Sequence, residues 1–363
     1  MTLDAKLLRK QLHDEHVAIS FLQRWTKIDK CRLKNFFDGN DRALTTEELG
    51  ELDRLLNPDE TEQAKNLATN REIIDGIGKS LRGHGVAFLF ETRKGALELA
   101  SGTLTRIGES VIVATAGHVI RQTKMLQFIG ENIANFQADI DSDGNIGNVR
   151  GGANINVLRY GKHATCDVGF FELEKADWKL LEREPVGLDR LAIGSGEYGN
   201  FAVVHGYPSD FARVHISSDE RQRGLSVGSI TFTQTLLSPD EWPAVPSDAR
   251  DSNQNVDCFM RYSTAEKMFR SIAADRLRFP VPKDLPTGLP NAPGMSGGGL
   301  WQSWADRDSL WNPRDYKLIA IQSSWSKDRE YLRATQTQHW LDLVHSECVD
   351  LRDPIDEYMK TED

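Results

Sequence analysis

Ser296 lies in a glycine-rich stretch, Gly-Met-Ser-Gly-Gly-Gly at residues 294–299, which can hold a serine hydroxyl on a tight turn. A serine hydroxyl is a weak nucleophile until a neighbouring base takes its proton. His118 follows an apolar, strand-like run and is a candidate base, and Asp167 precedes another such run. An aspartate on the second ring nitrogen would fix the tautomer of the histidine and stabilise the imidazolium. His118, Asp167 and Ser296 therefore predict nucleophilic catalysis, in which the glycine turn would present the N–H groups of Gly294 and Ser296 to a developing oxyanion.

Each of these three motifs also has a structural reading. Glycine-rich turns that contain serine are common, a single histidine after a strand is more often packed than catalytic, and an aspartate before an apolar run often starts a turn. The order in which the three occur, each joined to an apolar run, favours a joint role.

The set resembles the chymotrypsin/trypsin-like serine peptidases. The sequence Thr-Ala-Gly-His at 115–118 resembles the histidine motif of that family, Asp-Val-Gly at 167–169 its aspartate motif, and the stretch around Ser296 its serine motif. The resemblance covers residues 83–344. It implies two six-stranded antiparallel β-barrels with the active site in the cleft between them, and it requires no metal or organic cofactor.

The same resemblance implies a substrate-binding strand after the nucleophile. The sequence Ile-Ala-Ile-Gln-Ser-Ser-Trp-Ser at 319–326 resembles the strand that pairs with the substrate backbone in that family. By that match Ser324 would hydrogen-bond Asp167, and Trp325 and Ser326 would line the pocket for the residue before the scissile bond. The substrate would be a protein or peptide that binds as an extended strand.

Two departures from the family pattern bear on activation and specificity. Met295 occupies the position at which trypsin-like zymogens carry an aspartate that pairs with a newly cut N-terminus, so that activation route is not expected here. Pro290 occupies the position of the aspartate that selects basic residues. Together with Lys327 and Arg329, it favours an acidic or uncharged residue at the cleavage site.

The hydrophobic pattern of the sequence changes once along the chain. Up to about residue 81, apolar positions recur at helical spacing, and Thr45 and Glu48 can form a capping box, which predicts three or four helices. From Val86 onward, short β-rich runs alternate with turn residues. The sequence therefore predicts a mainly β protein: a helical N-terminal region at 1–82, regulatory or partner-binding, and a peptidase domain at 83–363. That domain would carry insertions at 238–257 and 265–290 and a helix at 339–349.

Composition excludes several classes of function. A net charge of −10 over 363 residues offers no basic surface for nucleic acid or for an anionic membrane. The sequence has no apolar run near 18 residues and no signal-peptide pattern at its start, so we expect a cytoplasmic protein. The four cysteines are far apart, which argues against a zinc knuckle and a disulfide framework.

Two stretches imitate metal sites. His13 and His16 are separated by three positions on a polar helix face, where solvation is the usual explanation. Asp-Ile-Asp-Ser-Asp-Gly at 139–144 imitates the start of a calcium-binding EF-hand loop, but Arg150 occupies the position of its bidentate glutamate. A hairpin turn is favoured there, and no metal is expected.

These observations predict a cytoplasmic serine endopeptidase that is regulated by its helical N-terminal region or by a partner, and that is latent until a partner or ligand binds. One alternative is a catalytically silent protease-fold module that holds a peptide or partner in the same cleft. Another makes the helical region a scaffold in a multi-protein assembly whose output is proteolysis.

Overall fold

The computed structural model describes residues 4–14, 19, 22, 26, 28–56, 76–92, 97–129, 137–140, 146–150, 155–175, 178–181, 183–216, 223–246, 249–263, 270–274, 290–303 and 315–362. The helices are α1 (Ala5–Asp14), α2 (Lys30–Phe37), α3 (Thr46–Leu56), α4 (Gly117–Gln122), α5 (Thr337–Glu347) and α6 (Arg352–Glu362). The strands are β1 (Gly85–Thr92), β2 (Leu97–Ile107), β3 (Ser110–Thr115), β4 (Thr123–Ile129), β5 (Gln137–Ile140), β6 (Ile146–Arg150), β7 (Val157–Lys162), β8 (Gly169–Leu173), β9 (Phe201–Gly206), β10 (Ala212–Ile216), β11 (Arg223–Thr235), β12 (Asp257–Arg261), β13 (Arg270–Ala274), β14 (Gly299–Ser303), β15 (Tyr316–Ser326) and β16 (Tyr331–Gln336).

The first sheet has six strands in the order β4-β1-β2-β3-β8-β7, and each neighbouring pair is antiparallel. Strand β3 is apolar almost throughout, so both of its faces are buried. One face packs on an interior cluster that includes Phe88, Leu104 and Val113. Within the described residues β4 and β7 are not paired, so closure of this sheet into the expected barrel is not seen.

The second sheet runs in the order β10-β11-β9-β14-β15-β16-β12, and β13 also pairs with β11. An isolated antiparallel bridge joins Leu236, just after β11, to Met260 in β12. The Leu237 N–H also donates to the Phe259 carbonyl at 2.9 Å. Six of these strands therefore close into a ring around an apolar interior that includes Val204, Phe232 and Leu300.

The two sheets share one topology. In each set of six strands, numbered by their order in the chain, the first lies between the second and the fourth, and the sixth lies between the third and the fifth. The expectation of a mainly β protein with two antiparallel sheets is confirmed. The turn predicted near residues 139–150 is also confirmed as a hairpin, because β5 pairs with β6, although residues 141–145 lie outside the description.

A core between the two sheets joins them to the C-terminal helices. Ile112 and Phe170 of the first sheet, Leu318 and Ile321 of the second, and Trp340 of α5 belong to one buried cluster. The helix predicted at 339–349 is confirmed as α5, whereas α6 after it was not predicted. No helix in the described ranges has both the length and the apolar character needed to cross a bilayer.

The N-terminal helices have an apolar cluster of their own, which includes Leu12, Phe36 and Leu52. The predicted capping box is present: Thr45 N–H donates to Glu48 Oε2 at 2.7 Å, and Glu48 N–H donates to Thr45 Oγ1 at 3.2 Å. Helices are thus confirmed in this region, but a separate domain ending at residue 82 stays a prediction.

The helical residues 76–82 belong with the sheets. Ile77 and Leu81 are buried in the cluster that the two sheets and α5 share. A boundary between the helical and β regions that leaves this packing intact lies before residue 76.

Candidate active site

The pairing of β3 with β8 brings His118 and Asp167 together. Thr115 at the end of β3 lies opposite Gly169 at the start of β8, so the residues just beyond these ends become neighbours. His118 Nδ1 lies 2.8 Å from Asp167 Oδ2, and the His118 N–H donates to Asp167 Oδ1 at 2.7 Å. Both carboxylate oxygens therefore hold the histidine, one at the ring and one at the backbone.

Asp167 is held in its ionised form by this arrangement. Burial opposes the charge, but the hydrogen bond from the His118 ring, the attraction of that ring, the His118 N–H and the charge of Arg121 together lower the pKa of Asp167. Since the pKa is lower in the folded chain, Asp167 contributes stability above its ordinary pKa and loses it as the pH falls through the folded pKa. An ionised carboxylate on Nδ1 leaves Nε2 as the proton-accepting nitrogen of a neutral His118.

Two residues that the sequence did not single out shape this pair. A Cβ at Gly117 would lie 2.9 Å from the Val168 carbonyl and 3.2 Å from Asp167 Oδ1, so a side chain there would push the acid away. His163 Nδ1 accepts hydrogen bonds from the N–H groups of Thr165 at 3.2 Å and Cys166 at 3.0 Å. His163 therefore caps the turn that carries Asp167, a role with no motif in the sequence.

The nucleophile turn carries two glycines in the left-handed region, with φ of +90° at Gly294 and +93° at Gly297. Three of its N–H groups form backbone hydrogen bonds. Met295 N–H donates to Ala292 O at 2.9 Å and Gly298 N–H to Met295 O at 2.8 Å, whereas Gly297 N–H donates to Gln322 O of β15 at 2.8 Å. These bonds leave the half-buried Ser296 at the apex of the turn.

The N–H groups of Gly294 and Ser296 donate to nothing within the described part of the chain. Their peptide planes are nevertheless fixed, because Ser209 N–H binds Pro293 O at 2.7 Å and Gly298 N–H binds Met295 O. Two oriented donors without an internal partner have the features required of an oxyanion hole.

The turn lies against the end of β3. A Cβ on Gly297 would lie 2.2 Å from Thr115 Oγ1, three residues before His118. The Ser296 carbonyl also accepts a hydrogen bond from Ser101 N–H in β2 at 2.9 Å. Among the described residues, however, no hydrogen bond joins Ser296 to His118. Of the two links in the expected triad, the acid–base link is formed and the base–nucleophile link is not.

The expected hydrogen bond from Ser324 to Asp167 is also not formed. A register shift between Gln322 and Ser324 turns the intervening Ser323 inward, where its hydroxyl donates to the Arg333 carbonyl at 3.2 Å. Ser324 is exposed, and both carboxylate oxygens of Asp167 are hydrogen-bonded to His118.

Trp325 and Ser326 are half-buried beside the predicted pocket position. The Trp325 ring packs edge-on against Tyr262, with 6.1 Å between centroids. The Tyr262 hydroxyl donates to the carbonyl of Pro290 at 2.5 Å, and burial raises its pKa, so it stays a neutral donor. Tyr262 thus links the predicted pocket wall to the predicted pocket floor, and the sequence contains no signal for it.

The described residues contain no group of three histidine, cysteine, aspartate or glutamate side chains that could hold a metal ion. His16 of the first metal-like stretch lies outside the description. All four cysteines are free thiols, and Cys166, Cys258 and Cys348 are buried.

No family model matches the chain, and no curated protein matches it by sequence. Among solved structures it is similar to HL collagenase, with a TM-score of 0.40 and 12% identity over 74% of this chain and 94% of that one. It is also similar to an inactivated protease paralogue of the scabies mite, with a TM-score of 0.42 and 13% identity over 76% and 98% of the two chains. A serine endoprotease from Yersinia pestis gives 0.37 and 12%, over 74% and 65%. Because these TM-scores are below 0.5, the chemistry below depends on the residues of this chain alone.

Proposed function

We propose that this protein is a serine endopeptidase that forms an acyl-enzyme on Ser296. The observation that supports it most is the two-point attachment of His118 to Asp167, at 2.8 and 2.7 Å, beside a turn with two unengaged N–H groups. An imidazole held in this way is oriented to take a proton on Nε2.

In the proposed reaction, His118 Nε2 takes the proton of Ser296 as its Oγ bonds to the scissile carbonyl carbon. The N–H groups of Gly294 and Ser296 bind the oxyanion that forms. The C–N bond then breaks as His118 gives its proton to the leaving amine, and the oxygen returns to a carbonyl. Water next attacks the acyl carbon while His118 takes its proton, and the acid product leaves with Ser296 reprotonated.

The proposed substrate is an extended peptide in a cytoplasmic setting. It would lie beside the end of β15, where Ser324 is exposed and Trp325 and Ser326 are half-buried. The pocket would be closed below by Pro290, whose carbonyl is already occupied by Tyr262. Pro290 itself supplies no carboxylate, which disfavours lysine and arginine before the scissile bond, and Lys327 and Arg329, which follow the Ser-Trp segment, favour an uncharged or acidic residue there.

A second candidate is a silent binding module with the same cleft, and the unformed bond between Ser296 and His118 favours it. Hydrogen bonds of a catalytic site are often loose without substrate and tighten in the complex, so the open bond is also compatible with catalysis. Latency imposed by the N-terminal helices belongs to the first proposal.

A fluorophosphonate probe separates these candidates because it labels only a serine that is activated. We expect labelling at Ser296, found by peptide mapping, that is lost in Ser296→Ala and His118→Ala and kept in Ser346→Ala, an exposed serine of α5. The same measurement on a chain that lacks residues 1–75 tests latency, because Ile77 and Leu81 remain in place. Labelling of the shortened chain only would support control by the helices. No labelling of either chain would overturn the catalytic proposal and favour peptide binding.

A further inference from the structure

Ser101 of β2 is almost fully buried, at 1% exposure, and every one of its polar groups is engaged. Its N–H donates to the Ser296 carbonyl at 2.9 Å. Its hydroxyl donates to the Gly294 carbonyl at 2.7 Å and accepts from the Tyr207 N–H at 2.8 Å. Its own carbonyl accepts from Thr115 Oγ1 at 2.9 Å.

These four bonds connect the nucleophile turn to both sheets. Gly294 and Ser296 are the two residues whose N–H groups face the proposed oxyanion, and their carbonyls lie on either side of the Met295–Ser296 segment. Thr115 leads into the helix turn that carries His118. Tyr207 follows β9, a strand of the second sheet. Ser101 therefore ties the nucleophile turn to the first sheet and to the second at one point.

We infer that Ser101 is a positioning residue for Ser296, and this inference rests on the proposed peptidase function. Two carbonyl anchors on either side of a residue define both its position and the direction of its N–H. Only one of these anchors depends on the side chain, because the bond to Ser296 uses the backbone. Removal of the hydroxyl takes away the donor to the Gly294 carbonyl and the acceptor of the Tyr207 N–H, and the turn moves because its buried carbonyl must find another donor.

In Ser101→Ala we expect the reaction of Ser296 to slow more than the binding of the probe weakens. A displacement near 1 Å at a nucleophile can cost about 10²-fold in rate. In Ser101→Ala the maximal rate of fluorophosphonate labelling at Ser296 should fall by about 10- to 100-fold. The probe concentration that gives half of that rate should change little, because the pocket around Trp325 keeps its residues.

Thr105→Val is the matched control. Thr105 lies on the same strand, is fully buried, and its hydroxyl donates to the Ile112 carbonyl at 2.9 Å, away from the nucleophile turn. Thr105→Val loses one buried hydroxyl bond, whereas Ser101→Ala loses two, and it should label within about twofold of the wild type. Ser101→Thr, which keeps a hydroxyl, should recover part of the rate.

The test measures labelling kinetics and the unfolding temperature of the full chain and its variants. Slow labelling of Ser101→Ala with fast labelling of Thr105→Val supports the inference. Equal rates for Ser101→Ala and wild type, or equal slowing in both variants, overturn the inference and leave the peptidase proposal intact. If neither the wild type nor the chain that lacks residues 1–75 labels at Ser296, both are overturned, and if only the shortened chain labels, the same variants are compared in that chain. Should Ser101→Ala fail to fold, Ser101→Cys, which keeps the volume but weakens the donor, takes its place with the same expected slowing.

Discussion

His205 is a buried histidine outside the proposed catalytic pair. Its Nδ1 lies 2.8 Å from Thr231 Oγ1, and its Nε2 has no partner in the described part of the chain. Burial, followed by the charges of Arg183, Arg82 and His84, lowers the pKa of His205 to about 3. The unfolded chain binds this proton near pH 6.5. Folding stability is therefore unaffected by His205 above that pH and falls as the pH drops from about 6.5 towards 3.

Replacement of His205 by asparagine should flatten this dependence. Asparagine does not titrate and its amide can still bond to Thr231, so the loss of unfolding free energy between pH 7 and 5 should shrink by up to about 1.4 kcal/mol per pH unit. Urea unfolding at several pH values measures it. Thr105→Val, which changes a buried residue that does not titrate, serves as the control and should leave the slope unchanged. An unchanged slope in His205→Asn would contradict the assignment.

Some residues of the site lie in a local sequence pattern and could be predicted, whereas others take their role only from partners distant in the chain. His118, Asp167 and Ser296 each sit in a local pattern of a strand end or a glycine turn, so the sequence predicted them. Ser101 and Tyr262 have no such pattern, because their roles come from partners 193 and 28 positions away. The predicted bond of Ser324 was wrong because a one-residue register shift in β15 reverses which serine faces inward.

Among the elements, the nucleophile turn requires a glycine at position 297. At φ +93° an alanine there is strained, and its Cβ would lie 2.0 Å from the Ser101 carbonyl. Gly39 has a similar φ of +105° but nothing within 4 Å, so Gly39→Ala reports the backbone strain alone, about 1–2 kcal/mol. Gly297→Ala should add a clash and lower labelling of Ser296 by at least about 10²-fold. Labelling at the wild-type rate would show that the turn tolerates a side chain.

The pairing of β12 with β16 contains a buried ion pair. Asp257 is fully buried; its oxygens accept from Arg333 at 3.0 and 2.8 Å, from Arg250 at 2.5 Å and from the Asn253 N–H at 2.8 Å. Arg333→Gln should lower the free energy of unfolding by up to about 3–5 kcal/mol, because it leaves the buried carboxylate with Arg250 as its remaining cationic partner among the described residues. Lys175→Gln, which breaks the exposed pair with Glu109, should leave the free energy of unfolding nearly unchanged. Adding Asp257→Asn to Arg333→Gln should restore part of the loss, and urea unfolding of all the variants tests this.

The elements themselves were predicted where the pattern was strong and local. Strand-like apolar runs, the capping box and α5 follow from spacing and turn residues. Closure of the second sheet through Leu236 and Met260 depends on contacts across the chain that no local pattern contains. The predicted insertion at 238–257 is held in place by Arg333, which donates to the carbonyls of Arg250 and Asp251. Composition predicted a loop there but did not indicate that Arg333 would bind it.

At the scale of the whole molecule, and among the residues that the structure describes, the apolar cluster of α1 to α3 has no residue in common with the apolar clusters of the two sheets. Leu12, Phe36 and Leu52 share no cluster with residues of the sheets. A polar contact across the boundary is Lys30 Nζ to Asp240 Oδ1 at 2.9 Å, with 34% and 51% of the two side chains exposed. A surface pair of this kind contributes about 0.2–1 kcal/mol, too little to couple two cores into one cooperative unit.

We therefore expect two transitions in calorimetry. Leu52→Ala should lower the temperature of the transition of the helices alone, because deleting a buried leucine side chain costs about 2–5 kcal/mol. Leu343→Ala in α5, which belongs to the core between the sheets, should lower only the other transition. A single transition moved by both variants would mean that the two parts fold as one.

If the helices melt first and the proposed site lies wholly in the sheets, fluorophosphonate labelling of Ser296 should survive the first transition and end at the second. A rise in labelling rate across the first transition would mark the helices as the source of latency, since only their structure changes there.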